Sequence, residues 1–162
     1  MSDAPLDVFA YRPPNDINRP LFALINRTEQ EALLVLTAAA LDDDTTFDLI
    51  TRVARRLWQV IDVSCPHTED KNRALTAVRL FRMRAKDLIK NPPKDDASSR
   101  YRSQSVTEQL VDARMWACAA VALWDDKWVP AGLSVPNGEA IALQCADPEW
   151  AKLVMAAKAK LV

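Results

Sequence analysis

The sequence predicts a mostly α-helical protein in which antiparallel helical hairpins pack as one bundle. Three observations lead to this fold class. Only two glycines occur among 162 residues, so few positions suit the tight turns of an all-β protein. Hydrophobic residues make up 49% of the chain and charged residues 27%, proportions typical of a globular protein. Apolar residues also recur every three or four positions, which is the period of an amphipathic helix.

The first 27 residues are predicted to form an extended N-terminal arm. Prolines and aromatic residues are scattered among polar ones there, at Pro5, Phe9, Tyr11, Pro13, Pro14, Pro20 and Phe22. Proline disrupts the interior of a helix. Such an arm is expected to pack on its own core or on a neighbouring subunit.

A long helical region is predicted over residues 28–62, with a break near Asp42. Thr28-Glu29-Gln30-Glu31 has the form of a capping box at its start. The run Asp42-Asp43-Asp44-Thr45-Thr46 places carboxylates and hydroxyls where a second helix would begin. Leu57 belongs to the apolar stripe that follows, and we expect it in the core.

Further helices are predicted over residues 68–91 and 105–126, separated by a loop over 92–104. Thr68 offers a cap after Pro66, and Pro92-Pro93 ends the helix. Ser105-Val106-Thr107-Glu108 repeats the capping-box form. The spacing of apolar residues assigns these to the core: Val78, Phe81, Leu110, Ala113 and Trp116.

Residues 127–162 are predicted to extend this 28–126 core within one domain. Pro136-Asn137-Gly138 is a turn signal between short apolar runs and favours a small β-hairpin within 129–145. Pro148, just inside a helix start, predicts a final helix over 148–161.

Several features favour a cytoplasmic protein with no membrane partner. No stretch approaches the roughly 18 uncharged apolar residues that span a bilayer. The opening Met1-Ser2-Asp3 lacks the basic start of a secretory signal. Cys65, Cys118 and Cys145 are odd in number and widely spaced, which favours reduced, buried thiols.

Positive charge is concentrated in one part of the chain. The formal net charge is −1, yet ten Lys/Arg and three Asp/Glu lie between Lys71 and Arg102. Spacings of three, four and four place Arg79, Arg82, Lys86 and Lys90 along one side of a helix. A compact basic region on an acidic molecule suits a small anion better than a long nucleic acid.

A second group of basic residues surrounds an aromatic ring, because Arg100 and Arg102 flank Tyr101. Guanidinium groups bind phosphate oxygens in bidentate fashion, and an aromatic ring stacks on a base. Arg79, Arg82, Lys86, Arg100, Tyr101 and Arg102 are therefore candidate ligand-binding residues. The alternative is a solvated helix face whose cations bind no ligand.

Catalytic arrangements are poorly represented, so an enzyme is not expected. His67, the only histidine, has no second imidazole or thiol pair with which to form a zinc site. Cys65 and His67 are too close in sequence to favour a nucleophile pair. The acids at 42–44 suit magnesium, but a helix start explains them adequately. No P-loop or dinucleotide motif occurs, and no cofactor or metal is predicted.

The segment from Leu110 to Ala122 resembles a helix of phage anti-CBASS and anti-Thoeris sponge proteins. That family has a Leu-x-x-Ala-x-Met-Trp-Ala-Asn-x-Ala-type signature. The residues that match it in register are Leu110, Ala113, Met115, Trp116, Ala117 and Ala120. Cys118 stands at the asparagine position. The run from Ser99 to Ser105, which includes Ser103, resembles the Arg- and Ser-bearing turn that precedes this helix.

The resemblance implies a homo-oligomer of helical hairpins that binds a cyclic nucleotide or cyclic ADP-ribose-like immune messenger without cleaving it. Ser103 joins the candidate ligand-binding residues on this ground. Host defence effectors would then remain inactive, in the cytoplasm of the host cell. The alternative, from a different class, is a phage-encoded inhibitor that binds a host defence protein directly through a helix face and the aromatic arm.

Overall fold

The computed structural model describes residues 15–90, 96–124 and 135–161, and for residues 96–105 only the helical backbone. These residues form helices and no strands. The helices are α1 (Arg19–Leu41), α2 (Phe47–Ser64), α3 (Glu69–Lys90), α4 (Asp96–Val121), α5 (Gly138–Gln144) and α6 (Pro148–Leu161). The predicted all-α class is confirmed. None of these helices is long and apolar enough to cross a bilayer.

Helix α1 begins inside the segment that was predicted as an extended arm. Pro20 lies in its first turn, where the missing N–H of proline is no loss. Asn18 is buried and donates from Nδ2 to the Trp124 carbonyl at 2.9 Å, which ties this end of α1 to the end of α4. The arm prediction is therefore wrong for residues 19–27, and residues 1–14 lie outside the described residues.

The predicted capping box at Thr28 is also wrong. Thr28 lies inside α1, and its hydroxyl donates to the Leu24 carbonyl at 2.7 Å instead of accepting from a first turn. The predicted break near Asp42 is confirmed, because α1 ends at Leu41 and α2 begins at Phe47. Thr46 caps α2 by accepting from the Leu49 N–H at 3.2 Å.

Helix α3 matches the prediction closely, and α4 does not. Thr68 Oγ1 accepts from the Lys71 N–H at 3.2 Å at the start of α3. Helix α4 begins at Asp96, so residues 96–104, predicted as a loop, are helical and Ser105 is no cap.

The predicted β-hairpin is replaced by helix α5 over residues 138–144. The Asn137 side chain accepts from the Glu139 and Ala140 N–H groups at 2.9 and 3.2 Å, so the turn signal begins a helix. Residues 129–134 of the predicted hairpin lie outside the described part. The final helix begins at Pro148, as predicted, and Asp147 caps it.

Helix α1 lies at the centre of the bundle and packs against α2, α4, α5 and α6. Helices α3 and α4 form the most extensive pair, and α3 also packs on α2. The predicted core residues Leu57, Val78, Phe81, Leu110 and Ala113 are buried. Trp116, predicted to be buried as well, is only partly buried at the edge of the core.

Candidate anion-binding surface

Three of the predicted ligand-binding cations form a row on the side of α3 that faces α2. We call Arg79, Arg82 and Lys86 the basic ridge. The Arg79 guanidinium lies 5.0 Å from the centre of the Trp58 ring. Arg82 Nε is 3.5 Å from Thr51 Oγ1. The Lys86 ammonium lies 5.5 Å from the centre of the Phe47 ring. Each cation is thus held by a different α2 side chain.

These contacts order the ridge without burying its charge. All three cations are exposed to solvent. A guanidinium that stacks by its face keeps its in-plane N–H donors available to a second partner. Lys86 follows Arg79 by seven positions, so the row spans roughly 10 Å at the usual helical rise. The ridge therefore presents spaced donors on a surface that a multiply charged anion can reach.

Helix α2 adds a further cation beside the ridge. Arg55 is exposed and lies on the same helix face as Thr51 and Trp58, since it follows the first by four residues and precedes the second by three. It forms no ion pair with another described residue. The basic surface thus extends across two helices.

Arg73, which precedes the ridge in sequence, lies on another side of α3. Its guanidinium stacks on the Trp116 ring at 4.7 Å, and its Nη2 donates to Glu69 Oε1 at 2.9 Å. This contact also explains why the Trp116 ring lies at the edge of the core. Arg73 therefore stabilises the pairing of α3 with α4 and is not part of the ridge.

The other four predicted ligand-binding residues lie in α4. Arg100, Tyr101, Arg102 and Ser103 are in its N-terminal half, and their side chains fall outside the description. The structure therefore places these residues on a helix instead of a loop. Residues 106, 107 and 110 of the same helix line the cleft described next.

A cleft of about 660 Å³ opens where α1, α2, α3 and α4 meet. Its walls are mainly apolar and include Leu33, Leu36, Ile50, Leu88, Ile89, Val106 and Leu110. Thr37, Asp43, Thr45 and Thr107 add polar groups. Ile89 lies one turn from Lys86 on α3, so the ridge ends near this cleft. A volume of this size lies within the range of small-molecule sites. The walls of the cleft come from four separate segments, so no local sequence pattern marks it.

Cys65 and His67 do not form a nucleophile pair. The buried Cys65 thiol donates to the Ala117 carbonyl at 3.5 Å, and burial raises its pKa to about 12. His67 is exposed, and its Nδ1 lies 3.4 Å from Lys71 Nζ. Lys71 is itself 3% exposed and donates to the Asp62 carbonyl at 2.9 Å. These contacts hold the turn between α2 and α3.

The other two cysteines are free thiols as well. Cys118 is half-buried, and burial raises its pKa to about 11. Cys145 is buried beneath the α5–α6 turn, and burial raises its pKa too. The three thiols therefore remain protonated near neutral pH and are poor nucleophiles.

No protein-family model matches the sequence, and neither a curated protein nor a solved structure is similar to the chain.

Proposed function

We propose that this protein is a phage-type anti-defence protein that sequesters a cyclic nucleotide or cyclic ADP-ribose-like immune messenger in the host cytoplasm without cleaving it. The observation that supports this most directly is the basic ridge, where three exposed cations are ordered against α2 side chains near an apolar cleft. Phosphates would bind on the ridge, and a base would enter the cleft.

Binding of this kind has modest chemical requirements. A messenger with one negative charge per phosphate needs several spaced cations and a surface for its bases, and it needs no catalytic base. The ridge and the cleft supply both requirements. Arg100, Tyr101, Arg102 and Ser103 would complete the site from α4.

Calorimetric titration against a panel of cyclic di- and trinucleotides and cyclic ADP-ribose isomers tests this proposal. We expect one class of messenger in this panel to bind. The affinity for that messenger should fall roughly 10- to 150-fold in each of three variants, Arg79→Gln, Arg82→Gln and Lys86→Gln. This range corresponds to the loss of a charge-assisted contact of about 1.5–3 kcal/mol. Lys158→Gln removes an exposed cation of α6 and is the matched control. All four variants should melt within about 4 °C of the wild-type protein, because an exposed contact contributes about 1 kcal/mol or less.

The fate of the ligand separates sequestration from turnover. Heat denaturation of the loaded protein should release the messenger intact, as mass spectrometry would show. Recovery of a cleaved product would mean that the protein is an enzyme. If the wild-type protein binds no member of the panel, the proposal is wrong. If it binds but all three ridge variants behave like the control, the ridge is not the site.

Homo-oligomerisation is part of the proposal, because the resembling family builds its pockets from helical hairpins of several subunits. Light scattering at micromolar concentration should show at least a dimer. A monomer both with and without messenger would remove the shared pocket and leave a site within one chain.

A second candidate, an inhibitor that docks on a host defence protein, is favoured by exposed apolar side chains on the α3–α4 pair. Leu80, Met83 and Met115 are 37%, 66% and 55% exposed. Flexible methionines are common on surfaces that bind other proteins. Met83→Lys should abolish inhibition of the host protein in this case, and it should leave messenger binding unchanged if sequestration is the function.

A further inference from the structure

A second, smaller pocket lies where α2 meets the turn between α5 and α6, and none of the three ridge residues lines it. Its volume is about 150 Å³. The buried side chains of Arg56 and Trp150 form its inner wall, and the exposed Arg52, Arg55 and Gln59 lie at its rim. A water molecule occupies about 30 Å³ of liquid, so this volume admits a small ion and is too small for a nucleotide.

Two buried hydrogen-bond donors in this wall have no acceptor. Arg56 is 9% exposed and Trp150 is 4% exposed. The Arg56 Nη1 group donates to the Cys145 carbonyl. Neither the Arg56 Nε–H nor the Trp150 indole N–H has a hydrogen-bond partner among the described residues. Buried polar groups are nearly always paired in folded proteins, so two unpaired donors in one wall indicate a missing acceptor.

The charge of the pocket indicates which kind of acceptor fits. Asp147 and Glu149 also line it, but both carboxylates are engaged. Asp147 Oδ1 accepts from the Glu149 and Trp150 N–H groups at 3.0 and 3.3 Å. Glu149 Oε1 lies 3.6 Å from Lys152 Nζ. Arg52, Arg55 and Arg56 have no ion pair with either of these carboxylates.

None of the three arginines forms an ion pair with any described residue. The buried Arg56 guanidinium is thus not ion-paired with either carboxylate of the pocket. A buried charge is costly unless it is paired. An anion satisfies this charge and the open donors together, whereas a water molecule satisfies only the donors.

We propose that this pocket binds one small oxyanion, of the size of inorganic phosphate, between the Arg56 guanidinium and the Trp150 indole N–H, with Arg52 and Arg55 attracting it at the rim. The site is separate from the basic ridge and does not depend on the messenger proposal. Its occupant links α2 to the α5–α6 turn.

Nuclear magnetic resonance of the ¹⁵N-labelled full chain tests the site directly. Each tryptophan gives one indole N–H signal, and the signal that Trp150→Phe removes is that of Trp150. Titration with inorganic phosphate should shift this signal along a saturable curve. Sulfate and acetate, titrated separately, distinguish a tetrahedral anion from a carboxylate. Chloride at matched ionic strength should leave the signal in place.

Variants then assign the binding groups. Trp150→Phe keeps an aromatic ring but removes the donor, and it should weaken phosphate binding, measured by calorimetry, roughly 10- to 150-fold. Arg52→Gln, at the exposed rim, should weaken it several-fold with an unchanged melting temperature. Arg56→Gln should cause the largest loss of phosphate affinity, but it also removes a buried contact. If the Arg56→Gln variant does not fold, Arg52→Gln still tests the site.

Arg79→Gln, on the basic ridge, is the matched control. In this variant phosphate should shift the Trp150 indole signal as it does in the wild-type protein. If phosphate, sulfate and acetate all fail to move that signal, or chloride moves it equally, the pocket holds only water and the proposal is wrong. If Arg79→Gln abolishes the shift, the anion binds at the ridge and the proposal is again wrong. Messenger binding by the ridge remains a separate measurement.

Discussion

Positive charge lies on two sides of α2, and it is exposed to solvent on one side and buried on the other. Toward α3, the cations of the basic ridge stack on or contact α2 side chains and remain in water. Toward the α5–α6 turn, Arg56 is buried at 9% exposure and one of its donors has no acceptor. Exposed charge contributes little to stability and is free to serve a ligand, whereas buried charge requires a partner. Exposure thus decides whether a cation is already solvated or needs a binding partner inside the fold.

The largest expected effect comes from the core that supports the ridge. Phe81 is fully buried between ridge residues Arg79 and Arg82 in sequence, and Phe81→Ala should lower the free energy of unfolding by about 3–5 kcal/mol. Met83→Ala, at a position 66% exposed on the same helix, should change it by less than about 0.5 kcal/mol. Urea denaturation measures both. Similar losses in the two variants would mean that α3 is rotated from the position described.

Two buried tryptophans differ in whether the indole N–H has a hydrogen-bond acceptor. Trp124 and Trp150 are 3% and 4% exposed. The Trp124 indole N–H donates to the Ser64 carbonyl at 2.9 Å, whereas the Trp150 indole N–H has no acceptor among the described residues. In buffer free of oxyanions, Trp124→Phe should therefore cost about 1–3 kcal/mol more than Trp150→Phe, because it leaves a buried carbonyl unpaired. Thermal denaturation followed by circular dichroism gives this difference. Equal losses would show that the Trp150 indole already has a partner.

The smallest expected effect on the free energy of unfolding is at the basic ridge itself. The contact between Arg79 and Trp58 should be worth about 0.5–1 kcal/mol, as is usual for an exposed cation over an aromatic ring. A double-mutant cycle of Arg79→Gln and Trp58→Leu measures this coupling apart from the packing of the ring. A coupling of zero would mean that the ring does not order the guanidinium, and ridge affinity should then survive Trp58→Leu.

The helices with strong apolar periodicity were predictable from sequence, and their ends were less so. The α3 stripe through Val78 and Phe81 identified both the helix and its core side. Residues 19–27 were predicted as an extended arm but form the start of α1. Proline breaks a helix interior but is tolerated in the first turn, and the sequence did not show that Pro20 lies in a first turn. Thr28 has the residue type of a cap, but its hydroxyl bonds back to Leu24 within the helix. The hairpin prediction failed because Asn137 serves equally in a turn and in a cap.

The candidate sites also differ in how far the sequence predicts them. The ridge follows from local spacing, so the sequence predicted that its three cations share a helix face. The aromatic partners Trp58 and Phe47 were not predictable, because they come from a different helix. The pocket at Arg56 and Trp150 joins residues far apart in the chain, and no local pattern marks either residue as an unpaired donor.

The protonated state of the three native thiols makes this chain a convenient host for site-specific labels. Maleimides and spin labels react with the thiolate, and burial holds the pKa of Cys65 and Cys118 near 12 and 11. A single cysteine introduced at an exposed position such as Met83 or Met155 would therefore react far faster than the native thiols. Probes on α3 and α6 can therefore be attached one at a time to a chain whose own cysteines need not be removed.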